Sequence, residues 1–252
     1  AWAVLIAPIL LGLFAVGGAQ AATGALFCLA TAGGFLARPP LQALLRPAPD
    51  PRAWRWLAGY LVAAAAGLLP LLFAYGRWRL LFFVVPAALL LLLDIRAQIE
   101  RRALSLANEL GGVAALSLGA PAAFYAARGT LAREAWVLWA VCALYFCGPI
   151  FYVKMAALQH RAAGDPAQLP RLFRAQRIAL AYHGAALALA GAAYSVLPFL
   201  ALLPFAAALT KTALRAARAP ERVKFQELGY REAAWTIFFS AAVLAGFRLK
   251  SG

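Results

Sequence analysis

Acidic residues are scarce in this chain. Its 252 residues include nine Asp and Glu against 24 Lys and Arg, and charged residues make up only 13% of the total. A soluble domain usually carries roughly 25% charged residues. Because metal cages for hard cations are built from several carboxylates, this composition makes such a cage hard to assemble, and no metal site is predicted. The sequence also lacks a Gly-rich phosphate loop and the common hydrolase motifs.

Cysteine is equally rare. The three cysteines, Cys28, Cys142 and Cys147, all lie in apolar stretches, and none forms a C-x-x-C pair. This spacing gives no support to a zinc or redox site, so we expect small, buried, apolar side chains.

Apolar residues dominate, at 65% of the chain. They form continuous runs, such as residues 80–93, whereas barrel strands alternate apolar and polar residues. The sequence therefore predicts an all-α, polytopic membrane bundle that forms a single transmembrane domain over residues 1–252. Residue 1 already lies in an apolar run, so we expect the native N-terminus to be missing. About nine spans are predicted, at residues 2–18, 20–37, 56–75, 80–93, 104–126, 135–153, 178–194, 196–210 and 233–247.

Positive charge alternates along this series of spans. Of the 24 Lys and Arg residues, 18 lie in the breaks after spans two, four, six and eight. Cytoplasmic loops carry such an excess, so these breaks are predicted to face the cytoplasm, with the N-terminus inside and the C-terminus outside. The same rule accounts for the net charge of +15, and no nucleic-acid partner is predicted.

Polar residues near the inner ends of the spans predict a site. Charged groups at membrane depth tend to face a cavity or each other. In the stretch 94–109 they recur at helical spacing, which is compatible with a pocket lining or with an interfacial helix that pairs its own charges. The predicted ligand-binding residues are Arg38, Asp94, Arg101, Arg102, Ser105, Asn108, Glu109, Tyr152, Lys154, His160, Arg161 and His183.

The predicted site residues from Tyr152 onward have alternative interpretations, and these stay open. Residues 152–161 are equally typical of a solvated helix end, although Tyr145, Tyr152 and Gln159 share one helix face at seven-residue spacing. His183 is either a packed hydrogen-bonding group or a proton relay. Lys211, Arg215, Glu227, Arg231 and Glu232 form a further polar group around the entry to span nine, and in this group Arg231 and Glu232 are also typical of a solvated helix start.

Several short motifs resemble a known family. They are Ala1-Trp2-Ala3-Val4-Leu5 with Pro8, Ser105-Leu106-Ala107-Asn108-Glu109-Leu110, Leu116-Ser117-Leu118-Gly119-Ala120-Pro121-Ala122-Ala123, Leu144-Tyr145-Phe146 with Phe151-Tyr152-Val153-Lys154, and Leu228-Gly229-Tyr230-Arg231-Glu232. Together they resemble the YwiC-like family of bacterial membrane proteins. The resemblance implies a multi-pass protein of the bacterial cytoplasmic membrane, and it implies no particular reaction.

The span plan is also similar to that of the UbiA-type prenyltransferases. That similarity implies nine spans, an inside N-terminus and chemistry after spans two and six, where those enzymes hold magnesium–diphosphate with Asp-rich motifs. The corresponding stretches here, 35–42 and 152–161, contain no Asp. The metal-binding residues therefore do not carry over, and no cofactor is predicted. If the protein is an enzyme, it is a divergent transferase that does not use that magnesium site.

The predicted function is binding of an anionic amphiphile in a basic cavity that faces the cytoplasm. The amphiphile would be an isoprenoid, a quinone or a lipid head group, recognised by Arg, Lys and His in place of a metal. Two alternatives stay open: a transporter for a small anion or metabolite, and an accessory or assembly subunit of a membrane complex.

Overall fold

A computed structural model describes residues 2–15, 20–46, 50–99, 105–193 and 196–251 of the protein, and its regular elements in these ranges are helices. This confirms the predicted all-α class. The helices are α1 (Trp2–Phe14), α2 (Ala21–Leu36), α3 (Arg38–Leu44), α4 (Ala53–Phe73), α5 (Leu81–Ile99), α6 (Leu106–Ser117), α7 (Gly119–Arg128), α8 (Arg133–Ala162), α9 (Leu169–Ala192), α10 (Leu203–Ala216) and α11 (Phe225–Ser251).

Two pairs of these helices are nearly continuous. Helices α2 and α3 meet at Ala37, and α6 and α7 meet at Leu118. Prolines explain both breaks, because a proline has no N–H to donate to the carbonyl four residues earlier. Pro39 and Pro40 follow the first break and Pro121 follows the second. Counting each pair once, the described ranges contain nine helical segments in the order of the nine predicted spans.

Six of these segments are long and apolar enough to cross a membrane, by length and composition. They are Ala21–Leu44, Ala53–Phe73, Leu106–Arg128, Arg133–Ala162, Phe199–Ala216 and Phe225–Lys250. The segments Val4–Phe14 and Trp78–Leu92 are apolar but shorter. Helix α9 has 24 residues, and its first half carries Arg171, Arg174 and Arg177. The chain is therefore a helical membrane protein.

The centre of the bundle is formed by α1, α7 and α8. Residues 120–127 of α7 are all buried, and Leu11 of α1 and Leu138 of α8 are fully enclosed in the same core. Helix α11 packs against this core through Phe239 and Val243. Helices α2 and α4 pack closely against each other at one side of the centre, with apolar side chains on their outer faces.

Four helix ends meet at one end of the bundle, which we name the basic end. Helices α8 and α10 finish there and α9 and α11 begin there, as shown by the hydrogen bond from Gln176 Nε2 to Ala216 O (3.0 Å). Asp165, in the α8–α9 connection, accepts hydrogen bonds from the Ala167 N–H and the Gln168 amide. Both hydrogen bonds lower the pKa of the Asp165 carboxyl, and the one from the Gln168 side chain has the larger effect.

Candidate functional site

Buried polar side chains gather near the basic end, between α8, α10 and α11. We name this group the polar cluster: Tyr152, Gln159, Lys211, Arg215 and Glu232. The spacing of these residues explains why they meet. Seven residues separate the two members on α8 and four separate the two on α10, so each pair lies on one helix face.

Gln159 holds Arg215 in place with a reciprocal pair of hydrogen bonds. Arg215 Nε donates to Gln159 Oε1 at 2.7 Å, and Gln159 Nε2 donates to the Arg215 carbonyl at 2.9 Å. Gln159 is 0% exposed and Arg215 is 8% exposed. A buried guanidinium is thus fixed by a neutral amide, which satisfies one of its N–H groups without placing a negative charge against it.

Lys211 occupies the next turn of α10 and pairs with Glu232. Its Nζ lies 2.7 and 2.8 Å from the two carboxylate oxygens, and the side chains are 14% and 17% exposed. The same Nζ lies 4.7 Å from the centre of the Tyr152 ring and 5.5 Å from that of Trp235. Two aromatic faces and one carboxylate therefore enclose this ammonium group.

The outer side of Arg215 faces a positively charged surface. The nearest carboxylate oxygen, Oε1 of Glu221, is 3.8 Å from Nη2, beyond hydrogen-bonding distance. The α10–α11 connection carries exposed Arg218, Arg222 and Lys224, of which Arg218 lies 4.0 Å from Glu221 and Lys224 lies 2.9 Å from Glu227, and exposed Arg161 is near the end of α8. Because a guanidinium presents paired N–H donors that match a carboxylate or phosphate, this arrangement is suited to an oxyanion.

Two residues of the predicted site are brought together directly. Lys154 Nζ on α8 lies 2.7 Å from Glu109 Oε2 on α6. Their side chains are 46% and 28% exposed, so the pair is partly solvated and contributes little to stability. The pair joins α6 to α8 two residues after Tyr152.

Other predicted site residues have local roles. The Ser105 hydroxyl accepts a hydrogen bond from the Asn108 N–H at 3.2 Å, which caps the start of α6. His160 is exposed, accepts a hydrogen bond from the Val223 N–H at 3.1 Å and tilts against Phe225. His160 therefore ties the α10–α11 connection to the end of α8.

His183 lies deeper in α9 and is buried. Its Nδ1 is 2.8 Å from the Ala179 carbonyl, and because a carbonyl can only accept, Nδ1 carries the proton of this hydrogen bond. Its Nε2 lies against Gly148 of α8, 2.9 Å from the position a Cβ would occupy there. This glycine therefore makes room for the imidazole. These contacts support the interpretation of His183 as a packed hydrogen-bonding group. Its role as a proton relay stays a prediction.

The rest of the predicted set lies elsewhere. Arg38 begins α3, which packs against α2, α4 and α5. Asp94 is part of α5, and nothing is described of its side chain. Arg101 and Arg102 lie outside the described residues. A separate surface pocket of about 590 Å³ opens at the start of α4, and its lining residues are Pro51, Arg52, Arg55 and Trp56.

The sequence interpretation therefore missed most of the polar cluster. The predicted site includes none of Gln159, Lys211, Arg215 and Glu232. Two signals were present: the seven-residue repeat that ends at Gln159, and the four-residue spacing of the two cations. Among the described residues no three His, Cys, Asp or Glu lie together as metal ligands would.

Comparison with known proteins concerns the first part of the chain. The model of the YwiC-like protein family matches residues 1–124. No curated protein and no solved structure matches the chain. The matched residues include the opening motif and the two motifs at 105–110 and 116–123. Over residues 1–124 the chain is therefore similar to the YwiC-like proteins, which confirms for that part the resemblance that its motifs predict.

Proposed function

We propose that the protein binds an anionic amphiphile, with the phosphate or carboxylate of its head group at Arg215. One observation carries this proposal: Arg215 is 8% exposed, is oriented by a neutral amide, and has its nearest carboxylate at 3.8 Å. A pre-positioned cation with spare donors binds an oxyanion without the cost of ordering a side chain.

The surroundings of Arg215 suit an amphiphile better than a free ion. Arg215 and Lys211 stand beside the Tyr152 ring, at 5.7 and 4.7 Å from its centre. Beyond them α11 exposes apolar side chains, including Ile237 and Phe238. A head group at Arg215 would thus place its tail along an apolar helix face in the bilayer, and an isoprenoid, a quinone with an acidic group or a phospholipid would each fit this description.

We infer that the basic end faces the cytoplasm of a bacterium, with the N-terminus inside and the C-terminus outside. The support is the 18 of 24 cations in alternate breaks. A UbiA-like arrangement combines this orientation with nine spans and a site that is reached from the inner leaflet, and we propose that arrangement here. The head group would then enter from the inner leaflet, with arginine taking the place of a metal.

Direct titration tests the proposal. The purified chain in a neutral detergent is titrated with fluorescently labelled phosphatidic acid, and unlabelled farnesyl phosphate and phosphatidylglycerol compete. Arg215→Gln is expected to weaken binding about tenfold, the effect of removing one charge-assisted contact. Arg215→Lys keeps the charge but lacks the paired donors, and should give an intermediate loss.

The matched control is Arg174→Gln, which removes one charge from an exposed position on α9 at the same end. It should leave affinity within about twofold, because exposed charges are screened. If Arg174→Gln and Arg215→Gln lost the same amount of affinity, binding would be explained by general electrostatic attraction and the proposal would be overturned. Equal binding of phosphate-free diacylglycerol would also overturn the proposal.

A further inference from the structure

Three arginines converge at the end of the bundle opposite the basic end. Arg77 precedes α5, Arg128 ends α7, and Arg248 lies in the last turns of α11. We name these residues the arginine cluster. They come from distant parts of the chain: Arg128 and Arg248 meet at the C-terminal end of α1, and the Arg77 guanidinium lies at Gly129, the residue after Arg128.

Two members of the arginine cluster are anchored on the last carbonyls of α1. Arg128 Nη1 donates to Gly12 O at 3.0 Å, and Arg248 Nε donates to Phe14 O at 2.8 Å. Arg128 also stacks over the Phe124 ring, 4.3 Å from its centre. The negative end of the α1 dipole stabilises both cations, so a capping role explains why two arginines lie here.

Arg77 is not explained by capping. Its guanidinium lies directly over Gly129, where any side chain would overlap Nη1. Gly129 has φ +78° and ends α7, so glycine serves both the left-handed turn and the close approach. Arg77 Nε is buried and has no hydrogen-bond partner among the described residues. A buried, charged donor of this kind calls for an acceptor such as an ion or water.

The sequence supplies almost no negative charge at this end. The segments 74–80, 127–134 and 244–250 contain one carboxylate, Glu134, which lies exposed in the first turn of α8. Arg248 is close enough to Arg128 for their charges to repel. Two guanidinium groups therefore share a helix end whose partial charge offsets a fraction of theirs, and the third lies beside them at Gly129.

We propose that the arginine cluster binds an oxyanion of the phosphate type, separately from the polar cluster. Arg77 Nε supplies the donor that the described residues leave without an acceptor. Arg128 and Arg248 add positive electrostatic potential and further N–H groups from fixed positions. The inference is independent of the proposed function, because the two groups of residues lie at opposite ends of the bundle. The ligand is either free phosphate or the phosphate of a lipid in the leaflet at that end.

Thermal unfolding followed by tryptophan fluorescence tests the second site. The full chain in neutral detergent is titrated with inorganic phosphate, with sodium chloride at matched ionic strength as reference. Phosphate is expected to raise the unfolding midpoint more than chloride. In Arg77→Gln, the phosphate concentration that gives half of this shift in the unfolding midpoint should be about tenfold higher. Arg79→Gln, an exposed arginine in the same turn, is the matched control and should leave it unchanged.

Two further arms separate the sites and the ligand sources. Arg77→Gln and Arg215→Gln should each remove a different part of the phosphate response, and their combination should remove both. Nanodiscs with phosphatidylglycerol, compared with phosphatidylcholine, should blunt the phosphate response if a lipid head group is the ligand, and leave it intact if free phosphate is. A response equal to that of chloride, or one unchanged in Arg77→Gln and Arg77→Lys, would overturn the second site.

Discussion

Gln159 and Arg215 bind each other twice across the α8–α10 interface, through side chain to side chain at 2.7 Å and side chain to backbone at 2.9 Å. The pairing partner is an amide, which accepts from Arg215 Nε and donates to the Arg215 carbonyl, whereas a carboxylate could only accept. This choice keeps the positive charge of Arg215 available to a ligand while fixing its direction.

Replacing that amide with a carboxylate should separate stability from binding. Gln159→Glu keeps an acceptor for Arg215 Nε and gives the guanidinium a partner of opposite charge. It also loses the hydrogen bond from Gln159 Nε2 to the Arg215 carbonyl, so we expect a loss of about 1 kcal/mol in the free energy of unfolding. Affinity for labelled phosphatidic acid should fall about tenfold, because the ligand now competes with a fixed carboxylate. Chemical unfolding and titration on the same preparation measure both. Unchanged affinity in a folded Gln159→Glu protein would refute the assignment of Arg215 as the anion site.

The Lys211–Glu232 pair predicts non-additive effects. Glu232→Gln leaves a largely enclosed ammonium without a counter-charge, and we expect a loss of about 3 kcal/mol in the free energy of unfolding. Lys211→Met should reduce the free energy of unfolding by a similar amount, because it leaves the Glu232 carboxylate without its counter-charge. The double variant should recover most of either loss, since both charges are then gone. A double-mutant cycle by denaturant unfolding checks this, and strictly additive losses would contradict it.

The fold was predictable because its main signal is local. Continuous apolar runs give the helices, and the nine segments follow the predicted order. The boundary of α9 was placed late, because Arg171, Arg174 and Arg177 read as a loop while the helix starts at Leu169. Arginine is a good helix former, so a charged stretch at a membrane surface can be helical even though its composition excludes it from the bilayer.

The site was less predictable because its partners are remote in sequence. Gln159 and Arg215 are 56 residues apart, and spacing along one helix cannot show which neighbour that helix will face. Glu109 and Lys154 both belong to the predicted site, and the structure pairs them. Lys211 and Glu232 carry the same signal, but Glu232 stands near a helix start, where a solvated position is equally consistent with the sequence.

Close packing of α2 on α4 predicts a selective effect of glycine substitution. A Cβ on Gly33 would lie 2.6 Å from Ala64 N and 2.7 Å from Tyr60 O, and these backbone atoms cannot move aside easily. Gly33→Ala is therefore expected to destabilise the protein by about 2 kcal/mol, because small residues let the two backbones approach. Gly34→Ala is the matched control, since a Cβ there meets nothing within 4 Å. The unfolding midpoints of the two variants should differ clearly, and equal midpoints would argue against this contact.

The orientation of the bundle is testable with two engineered thiols. Gly164 and Thr130 are exposed residues of the connections on either side of α8, at the basic end and the opposite end. With the three native cysteines replaced, Gly164→Cys and Thr130→Cys each carry one surface thiol. Since cytoplasmic loops hold the excess of Lys and Arg, an impermeant maleimide added to intact cells should label Thr130→Cys alone, and permeabilised cells should give labelling of both. Labelling of Gly164→Cys in intact cells would place the basic end outside, and the head group at Arg215 would then have to come from the outer leaflet.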